Sequence, residues 1–398
     1  MIHLAYVSTY VPKRCGLATY THHLRTSVRQ AQMKKGAKPA DTVIAVVDPD
    51  EALDYDPSLL RIRRNAREDY RDMARRLNDS PVTVVSLQHE FGIFGGDAGE
   101  YVLDFVRELR KPLITTFHTV LRSPEEPHRR IQEEIARRSD RILVMNRHAA
   151  DQLAEQYRVP KDKCAYIPHG TPSPVPEQRE AMRAKLGWSN RRVVMTFGLL
   201  SPNKGIELIL EALPEVVRQI PDVLYAIVGQ THPQVKKAEG EAYRERLRDM
   251  IRTQGLDRHV TMIDRYLSES ELVRTLMACD LYVTPYPGME QVTSGTLAYA
   301  VGLGRPVLST PYAYARDLLS PYPELLIPYG DVDAWARAIT AHLSDPGRLQ
   351  EWERKIRQIG KEMNWPRVGE RHLKLFGELS QLRRSYADRS ENIASASR

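Results

Sequence analysis

"VVMTFGLLSPNKGIELILEAL", residues 193–213, is the stretch on which the fold turns. Its first five residues are apolar but for Thr196 and rich in strand formers, as in a strand buried on both faces. Gly198, Pro202 and Gly205 punctuate a short loop. Ile206, Ile209, Leu210 and Leu213 then recur at helical spacing, so a helix with one apolar face starts near 206. Strand, short loop and amphipathic helix make the repeating unit of a doubly wound parallel sheet.

The same alternation extends in both directions. "IHLAYV", "TVIAVV", "VTVVSL", "PLITTF", "RILVM" and "CAYIP" are the strand candidates of the first half. "RRVVMTF", "VLYAIVG", "HVTMI", "LYVTPY", "PVLST" and "LLIPY" are those of the second. Each half therefore reads as one α/β domain, joined through the proline-rich 168–179, "PHGTPSPVPEQR". The expected division is a first domain over 1–172, a second over 173–362, and a helix over 363–380 packing back on the first. Residues 381–398 are small and polar and read as a disordered tail.

Bulk properties exclude little. The 398 residues suit two domains of ordinary size. A net charge of +7 and a pI of 9.2 favour anionic partners. Basic residues are spread among acids without an aromatic–basic repeat, which argues against nucleic acid. Cys15, Cys164 and Cys279 are far apart and form no CxxC pair, so a reducing cytoplasmic setting is expected. Signal-peptide patterning and long apolar runs are absent from the sequence. The basic stretch 61–77, "RIRRNAREDYRDMARRL", reads as a helix whose charge is either simply solvated or touches the inner face of a membrane.

Three strand–loop–helix junctions could carry chemistry, because ligands of open α/β sheets bind beyond the C-terminal strand ends. In "YVSTYVPKRCGLATYTHHL" Gly16 stands near a helix expected from about Ala18, where it serves either a tight turn or a ligand's close approach. Cys15 beside Lys13 and Arg14 has no evident histidine partner to make it reactive. In the opening stretch, Lys204 at a helix start can neutralise phosphate oxygens. In "PGMEQVTSGTLAYAVGLGRPV", 287–307, Ser294, Gly295 and Thr296 begin a helix with small residues. They suit either ordinary capping or a phosphate seat built from amides. Two such junctions in one domain favour the phosphate seat.

The first half also places Gln88, His89 and Glu90 after one strand, His118 after another and His169 at the linker. Lone strand-end histidines are more often structural than catalytic. A zinc site from His89, Glu90, His118 and His169 has suitable ligand types and no supporting spacing. GxSxG, Walker and GxGxxG motifs are all missing, which disfavours serine hydrolases, P-loop NTPases and dinucleotide oxidoreductases.

Taken as a set, "YVPKRCGLATYTHHL", "LQHEFGIFGGDAGEY", "TTFHTVL", "IPHGTP", "FGLLSPNKGIELILEALP", "VGQTHP" with "GEAYRERL", and "QVTSGTLAYAVGLGRPVLSTPY" resemble the retaining glycosyltransferases of family 4, nearest to a bacterial subgroup. The resemblance covers about residues 1–380. It implies the α/β fold called GT-B, two doubly wound Rossmann-like domains facing across a cleft. Donor phosphates would lie on the second domain and the acceptor mainly on the first. It further implies a sugar-nucleotide donor, a hydroxyl acceptor, retention of configuration, and neither a cofactor nor a catalytic metal. Lys204 matches the family's diphosphate-binding lysine, and Thr293, Ser294, Gly295 and Thr296 match its phosphate-binding loop. Gly16 matches the glycine facing the donor, and His118 the histidine near the donor sugar.

The sequence departs from the family at Leu199, where many members carry an arginine. Of two glutamates common in the family, the first aligns with Gln291, beside Glu290, and the second with Tyr299. The expected catalytic set is therefore His118, Lys204 and Glu290, with Gln291 and Tyr299 toward the sugar or nucleotide and His89 and Glu90 toward the acceptor. A retaining glycoside phosphorylase using inorganic phosphate in the same seat is the alternative enzyme. A binding protein that has lost its chemistry is the alternative outside catalysis.

Overall fold

A computed structural model describes residues 2–175 and 178–396, with side chains as far as 381. One compact unit takes the chain up to Gly170 and again from Trp365 onward; the other is Thr171–Asn364. The tail 381–398, expected to be disordered, falls almost wholly outside the described side chains.

The first unit is built on strands β1 (His3–Ser8), β2 (Ala40–Val47), β3 (Leu60–Arg63), β4 (Val84–His89), β5 (Leu113–Phe117), β6 (Arg141–Val144) and β7 (Cys164–Tyr166). All pair in parallel, in the order β3-β2-β1-β4-β5-β6-β7. Helices α1 (Gly16–Lys34), α2 (Arg67–Asn78), α3 (Val102–Glu108), α4 (His128–Arg138) and α5 (Arg147–Tyr157) connect them.

The second unit has five parallel strands, β8 (Arg192–Phe197), β9 (Val223–Val228), β10 (Val260–Ile263), β11 (Leu281–Thr284) and β12 (Val307–Ser309), in the order β10-β9-β8-β11-β12. Its helices are α6 (Arg179–Leu186), α7 (Ile206–Gln219), α8 (Pro233–Glu239), α9 (Ala242–Thr253), α10 (Glu269–Ala278), α11 (Gly295–Gly302), α12 (Ala313–Leu318), α13 (Val332–Leu343) and α14 (Pro346–Gly360). The last helix, α15 (Trp365–Ala396), returns to the first unit and packs along α1. The two helices approach so closely that a Cβ on Gly369 would lie 2.6 Å from the backbone of Ser27.

Strand order reverses direction between β1 and β4 in one sheet and between β8 and β11 in the other. Loops leaving adjacent strands at such a switch point diverge to opposite faces and leave a crevice for ligand. The segments singled out from sequence follow these four strands. Gly16 comes after β1, His89 and Glu90 at the end of β4, Lys204 after β8, and Thr293–Thr296 after β11.

Two strand assignments need correction. The stretch 61–77 has the composition of a helix, but Arg61–Arg63 lie in the edge strand β3 and the helix starts at Arg67. Only Ile62 of β3 is fully buried, so the edge carries arginines that mask its strand character. "LLIPY" forms no strand; its contribution is a single bridge from Leu326 to Ser309, shortly before Pro328.

Candidate active site

In the second unit the opening stretch folds as its pattern requires. Val193, Val194 and Met195 of β8 are fully buried, as are Ile206, Ile209, Leu210 and Leu213 on one face of α7. Four such side chains contribute on the order of 6–12 kcal/mol by burial, as an upper bound, which anchors the start of α7 to the sheet. Pro202–Lys204 make one 3-10 turn, and Gly205 reverses the chain in the left-handed region at φ +58°. A Cβ there would lie 2.0 Å from the Pro285 carbonyl oxygen, so a side chain is excluded on two counts.

This turn presents Lys204. Its Nζ donates to the Tyr286 hydroxyl at 3.1 Å and lies 4.4 Å from the centre of that ring. Among the described residues no carboxylate pairs with it. The Tyr286 hydroxyl is 2.6 Å from Thr296 Oγ1, which is 3.2 Å from Ser294 Oγ. Ser294 caps α11, its Oγ accepting from the amide of Leu297 at 3.3 Å. A Cβ on Gly198 would sit 3.3 Å from the Thr296 methyl and 3.7 Å from Lys204 Nζ. An ammonium, a hydroxyl and a capped helix start therefore converge beside the end of β8. Positive charge without a counter-ion, beside a helix N-terminus, is the chemistry of an anion seat. Tyr286 was missed from sequence because it closes an apolar run; its ring stacks on Tyr312 at 5.4 Å like any core aromatic.

The neighbouring positions have other occupations. Glu290 and Gln291 are exposed on the loop before α11, and Gln291 Nε2 donates to the Thr293 carbonyl at 2.7 Å, bracing that loop. Tyr299 is buried on α11, and its hydroxyl donates to Glu269 Oε1 at 3.3 Å. Glu269 opens α10 and brings to this spot a carboxylate that sequence reading did not single out.

In the first unit α1 begins at Gly16, not Ala18, because Cys15 caps it. The Cys15 Sγ accepts from the Ala18 amide at 3.4 Å and lies 3.2 Å from Thr9 Oγ1. A Cβ on Gly16 would meet nothing within 4 Å, so protein packing does not explain this glycine. Lys13 is held by Asp48 and Glu51, each at 2.8 Å.

His118 follows β5. Its Nε2 is 3.0 Å from Gln88 Oε1, and its ring meets Tyr20 edge-on at 4.9 Å. Tyr20 also contacts the rings of His169 and Trp365. Burial pushes His118 down to about 3, and neighbouring His169 and His89 add to the shift. His169 is lowered to about 4 by burial, opposed by its hydrogen bond to the Gly170 carbonyl. Both are neutral imidazoles near pH 7.

His89 does not fit the acceptor role expected of it. It is fully buried, with its ring against Phe91, Phe94 and Phe117 and neither nitrogen hydrogen-bonded among the described residues. Burial lowers it to about 3, as for a core histidine. Glu90 is better placed. It accepts from the Phe91 amide at 3.0 Å and the Thr119 hydroxyl at 2.6 Å, and burial, opposed by those bonds, raises its carboxyl. Among the described residues no group of three or more His, Cys, Asp or Glu could hold a metal ion.

Two family profiles match the chain in succession. The profile described as Glycosyltransferase Family 4 matches residues 16–173, and that of Glycosyl transferases group 1 matches 178–362. The chain belongs to the family 4, group 1 glycosyltransferases. Similar proteins include a GDP-mannose-dependent α-(1-6)-phosphatidylinositol monomannoside mannosyltransferase of Mycolicibacterium smegmatis, 27% identical over 53% of this chain and 54% of its own length. A GDP-mannose:glycolipid 4-β-D-mannosyltransferase of Xanthomonas campestris pv. campestris is 30% identical over 46% of this chain and 48% of its own. The chain spans about half the length of these curated relatives. Among solved structures, Anabaena Alr3699/HepE in complex with UDP and glucose superposes with a TM-score of 0.74 at 15% identity, covering 95% of this chain and 100% of that one. The lipopolysaccharide-biosynthesis glycosyltransferase WaaG gives 0.65 at 16% identity, covering 94% and 99%. These likenesses show the fold: two parallel-sheet Rossmann-like units of the GT-B class.

Proposed function

We propose that the protein transfers a hexosyl group from a sugar nucleotide to a hydroxyl acceptor, with retention at the anomeric carbon and without a metal. The observation that carries this reading is the seat of Lys204, Tyr286, Thr296 and the Ser294-capped helix beside Gly198. As the bond from the anomeric carbon to the phosphate oxygen breaks, the nucleoside diphosphate leaves and negative charge grows on its oxygens. Lys204 and the first amides of α11 stabilise that charge where it develops. The departing phosphate oxygen takes the acceptor's proton, so retention needs no protein nucleophile. His118, neutral and held by Gln88, orients the donor sugar, and Glu290 or Gln291 hydrogen-bonds its hydroxyls. Glu90 is assigned to the acceptor side; His89 supports the site only through the core.

Complexes of the HepE structure with UDP, and relatives named for GDP-mannose, support a nucleotide-diphosphate donor without choosing the base. The Tyr299 hydroxyl, already donating to the Glu269 carboxylate, favours a second reading, a glycoside phosphorylase, since position 299 itself offers a ribose only one hydroxyl. Assays of UDP- and GDP-hexoses against phosphate-dependent release of sugar 1-phosphate distinguish the two. Nucleotide release dependent on an acceptor is the expected outcome, and phosphorolysis alone would replace the proposal.

Peripheral membrane contact belongs to the same proposal, on the basic stretch 61–77. Much of its charge is already engaged: Arg67 and Arg71 pair with Asp104, Arg63 with Asp69 and Arg75 with Glu108. Among the described residues no helix is long and apolar enough to cross a membrane. Co-sedimentation with anionic vesicles at physiological salt tests the contact, and its absence would remove this part.

A further inference from the structure

We infer that Gln88 is a positioning residue that fixes His118 as the neutral tautomer with hydrogen on Nε2, leaving Nδ1 to accept a hydrogen bond. The inference rests on the reading of His118 as a donor-sugar contact, and concerns what that histidine can do there.

β4 and β5 run in register with Gln88 opposite Thr116 and His89 opposite Phe117, so Gln88 lies beside the strand that His118 follows. Gln88 is fully buried. Ser86 and Gln88, two apart on a strand, share one face, and Gln88 Nε2 donates to Ser86 Oγ at 3.0 Å. With its NH2 turned to the serine, Gln88 offers its carbonyl oxygen to His118 Nε2 at 3.0 Å. A carbonyl only accepts, so the hydrogen of that contact belongs to the imidazole. Nδ1 of His118 has no protein partner among the described residues and carries the lone pair.

Among the described residues no carboxylate contacts the ring to draw a second proton onto it. Tyr20 of α1 meets it edge-on, and His169 and His89 are the other titratable groups around it. Glu90, next along the chain from β4, is bonded to Thr119 and the Phe91 amide instead. Burial of the cluster holds His118 neutral. Held this way, His118 is a hydrogen-bond acceptor for a sugar hydroxyl and not an acid, and Gln88 sets that polarity.

The test is 15N–1H correlation through the imidazole two-bond couplings of 15N-histidine-labelled full-length protein, with His118 assigned by its loss in His118→Ala. Hydrogen on Nε2 of His118 in the unsubstituted protein, from pH 6 to 8, is the expected result. Hydrogen on Nδ1, or a rapidly exchanging mixture, would overturn the inference, because it means the amide faces the other way. Gln88→Leu should release the tautomer and lower kcat by about tenfold to a hundredfold through misorientation, with KM moving less. Gln88→Glu should return the Nε2 hydrogen, raise the pKa of His118 and add an ionisation to the pH–rate profile. A Gln88→Leu protein with an unmoved tautomer would also overturn it. Should the tautomer follow Gln88 while His118→Ala leaves turnover intact, the placement of His118 at the sugar fails and the positioning by Gln88 stands.

Discussion

Gly205→Ala should uncouple the anion seat without touching any polar group in it. In the native turn this residue has φ +58°, where an alanine is destabilised by about 1–2 kcal/mol. Its Cβ would also lie 2.0 Å from the Pro285 carbonyl oxygen, a backbone atom on the segment that leads to Tyr286 and the α11 loop. Reaching even 3.0 Å requires 3.0 − 2.0 = 1.0 Å of movement by one of two backbone segments. Overpacking of this kind costs about 1–3 kcal/mol, so the total is roughly 2–5 kcal/mol. The movement separates Lys204 from Tyr286 and Thr296, and displacement on this scale can lower turnover by about a hundredfold. Gly187→Ala is the control. Gly187 has φ +72° but nothing within 4 Å of an added Cβ, so it should lose about 1–2 kcal/mol and keep its ligand affinity. Urea unfolding and calorimetric titration of UDP and GDP measure both quantities. A Gly205→Ala protein indistinguishable from Gly187→Ala in ligand affinity would refute the reasoning.

Tyr286→Phe should keep its stacking on Tyr312 and lose the hydroxyl that bridges Lys204 and Thr296; nucleotide affinity should fall about tenfold in calorimetry, with stability lowered by only about 1 kcal/mol. An unchanged affinity would show that Lys204 needs no bridge. His89→Phe should retain turnover, since the imidazole sits in an aromatic cage, and should flatten the acid limb of stability. The sign follows from linkage: with a folded pKa near 3 against about 6.5 unfolded, the unfolded chain binds the extra proton between those values. Stability contributed by neutral His89 is therefore full above about pH 6.5 and lost as pH falls toward 3, by about 2 kcal/mol at pH 5. Denaturation midpoints of the two proteins at pH 5 and 7.5 should diverge accordingly; parallel pH dependence would place the titration elsewhere.

Much of the fold is legible in the sequence because parallel strands buried on both faces are written as uninterrupted apolar runs. β8 and β9 need no more than that. β3 escapes because an edge strand with one buried residue, Ile62, looks like its arginine-rich surroundings. "LLIPY" misleads in the opposite direction, being apolar enough for a strand but making only the Leu326 bridge. Strand order cannot be read along the chain, so the two switch points that gather the four relevant loops emerge only from pairing.

The candidate site divides in the same way. Lys204, Ser294 and Thr296 are visible because glycine and small polar residues at helix starts have a local meaning. Tyr286 and Glu269 are not, because each acquires its role from a partner far along the chain. His89 and His118 have the same local signature, a histidine at a strand end. Only packing separates them: three phenylalanines enclose the first, while Gln88 and Tyr20 hold the second.

Lys204 is proposed to bind the phosphates of a nucleotide-diphosphate donor, and titration of UDP and GDP onto the unsubstituted protein and Lys204→Ala tests this role most directly. A hydrogen bond from a charged group contributes about 1.5–3 kcal/mol, so one of the two nucleotides should bind and lose about tenfold to a hundredfold in affinity without the ammonium. Equal affinity for both proteins, with the fold intact, would contradict the account.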